Sequence, residues 1–206
     1  MNEYNILGAI LAGGKSKRMG EDKLFLNLNN KTLIEHTIDK VKRNLKELII
    51  ITNQPNEFFI KNNLITVKDC IDGQLGPLAG ILTAMKWAKE SHNKYSWIAS
   101  FPCDTPFFPE SIISRFIEES KKKESLILCA SSHGRKHNIF GLWSLELYET
   151  LEDDLTNNRI RKVQDWTEKH KIKNVEFKFK DYDPFFNINT LEDFEIAKKM
   201  IKDETK

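Results

Sequence analysis

Apolar runs of strand length alternate with apolar residues at helical spacing along most of this chain. Residues 6–12 form a continuous apolar stretch that stops at Gly13 and Gly14, which predicts a buried strand entering a tight loop. Over 32–45, Leu33, Ile34, Thr37, Ile38, Val41 and Leu45 fall on one helical face. The apolar run 48–51 then predicts a strand, and the N-Q-P segment 53–55 a turn. Residues 64–67 read as a strand, 77–89 as a helix opened by Pro77, and 95–101 as a strand ending at Pro102. A helix over 110–122, begun after Pro109, and a strand over 125–130 continue the series.

Such β/α alternation predicts an α/β fold, a mostly parallel sheet with helices on both faces. The last third is less regular. Helices are expected over 145–155 and 161–170, a strand over 175–179, and a final helix over 191–201. Thr190 is placed to cap that helix, with Asp193 three residues on in the position that Glu or Gln takes in a capping box. No internal repeat, low-complexity tract or linker interrupts the pattern, so residues 1–206 are expected to form a single domain. Its length is sufficient for a core without disulfides or structural metal.

Charge adds little to this picture: 32 Lys and Arg oppose 30 Asp and Glu. The resulting pI near 8.3 does not point to nucleic acid, and any basic site must be local. Cys70, Cys103 and Cys129 are widely spaced and form no C-x-x-C pair, which fits a reducing compartment. The N-terminal residues lack the basic flank of a signal peptide, and no apolar stretch reaches membrane-spanning length. A cytoplasmic protein that engages no membrane is the expectation.

In open α/β sheets ligands collect beyond the carboxyl ends of the strands, so the residues just after each apolar run carry the functional information. After the first run, Gly13 and Gly14 permit close backbone approach, while Lys15, Lys17, Arg18 and Lys23 supply positive charge. Together they suit a triphosphate, whose oxygens need both backbone N–H groups and cations. A solvated basic loop fits the same residues equally well, and neither a Walker A loop nor G-x-G-x-x-G is present. Asp104 sits between Pro102 and Pro106, where a rigidly held carboxylate can bind Mg²⁺ or simply satisfy a turn. Asp69 precedes a glycine-bearing loop to Gly76 and Gly80, where it can accept from ribose or guanine or shape a turn. Asn187 and Asn189 alternate with apolar neighbours, so that both amides can face one way. His133 and His137 are read as belonging to a surface turn, and the lysine run 121–123 as a helix end.

Taken together, L-A-G-G-x-S-x-R-M-G-x-D-K at 11–23, G-P-L-A-G at 76–80, P-C-D-T-P at 102–106 and F-N-x-N-T at 186–190 resemble the molybdenum cofactor guanylyltransferase family. The match is ordered and nearly full length. The first motif is shared in looser form by nucleotidyltransferases acting on other acceptors; the second and fourth specify more. The resemblance implies a Rossmann-like nucleotidyltransferase fold and the reaction of GTP with Mo-molybdopterin to give the guanine dinucleotide cofactor and pyrophosphate, with Mg²⁺. It implies that Leu11, Ala12, Gly13 and Gly14 contact GTP, that Lys23 and Arg18 surround its phosphates, and that Asp104 holds the metal. Asp69 would lie at the nucleoside end with Asn53 near it, and Asn187 and Asn189 would serve the pterin side. The nucleotide would be bound by about residues 1–107, and about 108–206 would complete the acceptor site. Implied partners are molybdoenzymes or their chaperones and other cofactor-synthesis proteins, with the chain a monomer or small oligomer. A cytidylyltransferase, a transferase using another phosphorylated acceptor, and a non-catalytic nucleotide-binding protein are the competing readings.

Overall fold

The computed structural model describes residues 5–13, 23–54, 56–71 and 76–204. Strand β1 (Ile6–Leu11) lies inside a seven-stranded sheet with β4 (Leu48–Ile51), β5 (Ile65–Val67), β6 (Trp97–Pro102), β7 (Ile127–Ser132), β8 (Arg135–Ser144) and β9 (Ile172–Glu176). The spatial order is β5-β4-β1-β6-β8-β7-β9. All neighbouring pairs are parallel except those that β8 makes with β6 and β7. The short strands β2 (Asn27–Leu28) and β3 (Lys31–Thr32) form a separate antiparallel pair.

β1 is apolar throughout because both of its faces are covered. Ile6 and Ile10 point into one core layer with α1 (Leu33–Asn44) and α4 (Ile112–Ser120). Leu7, Ala9 and Leu11 point into the other, with α3 (Pro77–Glu90), α5 (Tyr148–Thr156) and α6 (Val163–Glu168). Such burial on both sides is the reason a parallel strand reads as a run rather than an alternation. The last helix, α7 (Leu191–Glu204), packs Phe194, Ala197 and Met200 with Leu28, Leu33, Phe107 and Ile188 in a third cluster. A short helix, α2 (Glu57–Lys61), completes the elements.

α1 opens on a capping box in which Glu35 N–H donates to Thr32 Oγ1 and Thr32 N–H donates to Glu35 Oε2 at 2.7 Å. The two bonds from Thr32, side chain first and backbone second, hold the Glu35 carboxyl below its ordinary value. Thr32→Ala is expected to destabilise the fold by about 1 kcal/mol at neutral pH. A carboxyl with a depressed native pKa stabilises above its unfolded pKa and loses that contribution as pH falls through its folded one. The gap between wild type and variant should therefore narrow on acidification, measured by urea unfolding across pH 3–7.

The structure corrects the expected layout in four places. The expected turn is confined to His133 and Gly134, and His137 lies within strand β8, its side chain largely buried. No single periodicity marks this strand, because a bulge moves the register from Cys129↔Gly141 to Ala130↔His137 and leaves Asn138, Ile139 and Phe140 without partners on β7. The strand expected over 175–179 is β9, three residues earlier: pairing ends near Glu176, although apolar alternation continues through Phe177 and Phe179. The helix expected over 161–170 contracts to α6, and Leu145–Leu147 is a 3₁₀ turn preceding α5.

Candidate active site

β1 has its sequence neighbour β4 on one side and β6 on the other, so the chain reverses its direction of winding there and opens a crevice at the carboxyl ends of these strands. A cavity of about 340 Å³ occupies that crevice. Leu11, Ala12 and Gly13 end β1 within its wall; Ile51, Thr52, Asn53 and Gln54 enter from β4, and Pro102, Cys103 and Asp104 from β6. Gly76, Pro77 and Gly80 close another side at the start of α3. Gly76 has φ +77°, a conformation costly for any side-chain-bearing residue, and Pro77 then supplies the first helical turn.

On the β4–β5 side the polar groups are interlocked. Asn53 Nδ2–H donates to Asp69 Oδ2 at 2.7 Å, and Asp69 N–H donates back to Asn53 Oδ1 at 3.1 Å. Both residues line the cavity. The following backbone is fixed as well, because Cys70 N–H donates to Thr83 Oγ1 at 2.9 Å and that hydroxyl donates to Ala79 within α3. A carboxylate restrained at both its oxygen and its own N–H is a preorganised acceptor for hydroxyl or N–H groups of a ligand.

Charge gathers on the β6 side. Lys23 is buried, and its Nζ donates to Asp104 Oδ2 at 2.9 Å and to Asn189 Oδ1 at 3.0 Å. Asp104 carbonyl accepts Ile188 N–H at 2.9 Å, tying the loop before α7 to the end of β6. Thr190 and Asp193 form the expected reciprocal cap, with Asn189 N–H also donating to Asp193 Oδ2 at 2.8 Å. Burial acts to raise the Asp193 carboxyl, but those backbone and hydroxyl donors, aided by Lys23, bring it below its ordinary value. Asn187 lines the cavity, and its buried Oδ1 has no hydrogen-bond partner among the described residues, a state that calls for a further donor.

The cavity thus gathers Leu11, Ala12, Gly13, Asn53, Asp69, Asp104 and Asn187. Lys23, outside the lining, bridges Asp104 and Asn189 through its Nζ. Gly14 and Arg18 lie outside the described residues. Asn53 is implied only by the family resemblance; Thr52 and Gln54 flank it at the end of β4, and Ile139 reaches the cavity from the β8 bulge. Among the described residues no group of three or more His, Cys, Asp and Glu side chains is arranged to hold a metal, and no helix is long and apolar enough to cross a membrane. Cys70, Cys103 and Cys129 form no disulfide.

A largely parallel sheet with a cavity at its switch point, lined in part by glycines and by an Asp104 carboxylate paired with Lys23, has the architecture of an α/β nucleotidyltransferase. Solved structures share the fold. Molybdopterin-guanine dinucleotide biosynthesis protein A from Archaeoglobus fulgidus superposes with a TM-score of 0.73 at 20% identity, covering 96% of this chain and 99% of that one. A cytidylyltransferase from Leptospira borgpetersenii gives 0.74 at 18% identity, covering 97% and 87%. The chain belongs to the MobA-like NTP transferase family, whose domain model matches residues 8–172. The molybdenum cofactor guanylyltransferase of Mesorhizobium japonicum is 34% identical over 98% of both chains, and that of Rhizobium rhizogenes 33% identical over 93% of this chain and 90% of its own.

Proposed function

We propose that this chain is a molybdenum cofactor guanylyltransferase, transferring GMP from GTP to the terminal phosphate of Mo-molybdopterin with release of pyrophosphate. The observation that carries the reading is the division of the cavity wall into an Asn53–Asp69 side, where amide and carboxylate are interlocked, and an Asp104 side, where the carboxylate is paired with Lys23 next to the asparagine loop. Kinship with guanylyltransferases over nearly the whole chain supplies the base and the acceptor.

In this reading the nucleoside lies toward Asp69 and Asn53, and the triphosphate runs past Leu11, Ala12 and Gly13, continued by Gly14, toward Lys23 and Arg18. Asn187 and Asn189 face the acceptor, so that residues 108–206 complete a site built mainly by 1–107 of the same domain. An acceptor phosphate oxygen forms a bond to the α-phosphorus of GTP while the bond from that phosphorus to the bridging oxygen breaks, and pyrophosphate leaves with the electron pair. The nucleophile is already anionic, so no general base is needed. Positioning and charge neutralisation do the catalysis.

Asp104 is suited to Mg²⁺: its Oδ2 is engaged by Lys23, while among the described residues its Oδ1 has only a long 3.3 Å contact from Thr105 Oγ1. One protein carboxylate is within the usual complement for that ion when phosphate oxygens supply other ligands. Bound there, the ion would offset charge on the phosphates.

The test is pyrophosphate release from GTP, Mg²⁺ and Mo-molybdopterin, with the dinucleotide identified by mass. GTP is expected to exceed CTP by at least about 10-fold in kcat/KM. Preference for CTP overturns the guanine assignment, and absence of pyrophosphate with either nucleotide overturns the transferase reading.

A further inference from the structure

Away from the nucleotide-binding wall, the end of β7, the start of β8 and the loop before α7 meet through Ser132, His137 and Asp183. Ser132 Oγ lies 2.6 Å from His137 Nε2 and 3.1 Å from Asp183 Oδ1. The hydroxyl has a single proton; once that proton is given to Asp183, the imidazole must donate through Nε2–H, which both its neutral Nε2–H form and its protonated form can do. The His137 ring is stacked on Phe185 at 4.5 Å between centroids, fixing its orientation. This is not a nucleophilic triad: Ser132 is 1% exposed and stands between the other two groups, where a hydrolase would put its histidine.

What the relay holds is the turn leading to the asparagines. Asp183 Oδ1 also accepts Phe185 N–H at 3.0 Å, and its carbonyl accepts Phe186 N–H at 3.0 Å. The far end of the same segment is pinned by Ile188 N–H on the Asp104 carbonyl and by Asn189 on Lys23. Between the two anchors lies Asn187, which lines the cavity and whose buried Oδ1 has no partner among the described residues.

We infer that Ser132, His137 and Asp183 are positioning residues for the acceptor, a relay from the β7–β8 hairpin that sets where Asn187 and Asn189 stand. The inference rests on the reading of those asparagines as the acceptor side. It follows that loosening the relay weakens acceptor binding more than nucleotide binding, because Asp69, Asn53 and β1 are held by separate bonds, while Asp104 and Lys23 are bonded to the far end of the segment.

Steady-state kinetics with GTP and Mo-molybdopterin varied independently test this. Asp183→Ala is expected to raise KM for Mo-molybdopterin about 10-fold or more, since displacements near 1 Å are that costly to oriented groups, with KM for GTP changed by less than about 2-fold. Asp183→Asn, whose Oδ1 can still accept from Ser132 and Phe185, should restore most of the loss. Ser132→Ala, a smaller change that keeps the backbone turn, should move the same KM in the same direction and carries the test if Asp183→Ala does not fold. Equal shifts in both KM values, or unchanged KM values with only a lower melting temperature, overturn the inference. Asn187→Ala and Asn189→Ala separate the two levels. If they raise the acceptor KM and the relay variants do not, the relay fails alone; if they leave it unchanged, the acceptor-side reading fails and takes the relay with it.

Discussion

Asp104→Ala is expected to cost at least about 10²–10³-fold in kcat, the loss typical of removing one preorganised electrostatic partner, and to destabilise the fold by about 2 kcal/mol. The stability loss arises from what remains. Among the described residues, Lys23 keeps only Asn189 Oδ1 to receive its ammonium, at 8% side-chain exposure, and an orphaned buried charge costs about 3–5 kcal/mol when water is fully excluded. Asp104 itself is 22% exposed, so solvent can enter the space it leaves and the penalty falls below that range. Asp104→Asn separates the two effects, because an amide oxygen can still accept from Lys23 but carries no charge for a metal or for balancing the ammonium. It should recover to within about 1 kcal/mol of wild type in urea unfolding while pyrophosphate release stays down by about 10²-fold or more. Full activity in either variant would remove Asp104 from the chemistry and leave the pair as a structural anchor only.

This pair also marks where reading the sequence runs out. Strands β1, β4 and β6 are legible because they are buried on both faces and stand out as unbroken apolar runs, and the residues that end them are found by position alone. Asp69 and Asp104 follow from that rule, whereas Asn53 is implied only by the family resemblance. Lys23 is visible only as one of four cations in a basic loop. Its burial depends on Asp104 and Asn189, which lie 81 and 166 positions away in the chain, and no local pattern announces partners at such separations. Ser132, His137 and Asp183 are hidden for the same reason, since a histidine beside a Gly-containing turn looks solvent-exposed until Phe185 is brought over its ring. The β8 strand escapes for a different reason: its bulge destroys the period on which recognition of a strand depends.

That bulge is also where a one-carbon change should have a large effect. Gly141→Ala is expected to destabilise the protein by about 3 kcal/mol, the upper part of the range for overpacking a dense core. A Cβ at this position would stand 2.7 Å from Trp143 Nε1 and 2.9 Å from its Cε2. The indole cannot simply swing aside, being fully buried and packed with Trp166 at 6.0 Å between centroids. Its Nε1–H donates to Ser100 Oγ at 2.7 Å, and that hydroxyl donates to the Ile139 carbonyl at 2.5 Å, so moving the ring also releases the bulge residue that lines the cavity. Two readouts should therefore change together: the urea midpoint falls, and KM for GTP rises at temperatures where the variant remains folded. Ser100→Ala cuts the same relay without the clash, leaving a buried indole N–H unsatisfied at about 1–3 kcal/mol. It should reproduce the kinetic change with a smaller stability loss. A Gly141→Ala variant as stable as wild type would show that the Trp143 indole has room to move. A destabilised variant with unaltered KM for GTP would show that Ile139 is held by the sheet rather than by Ser100.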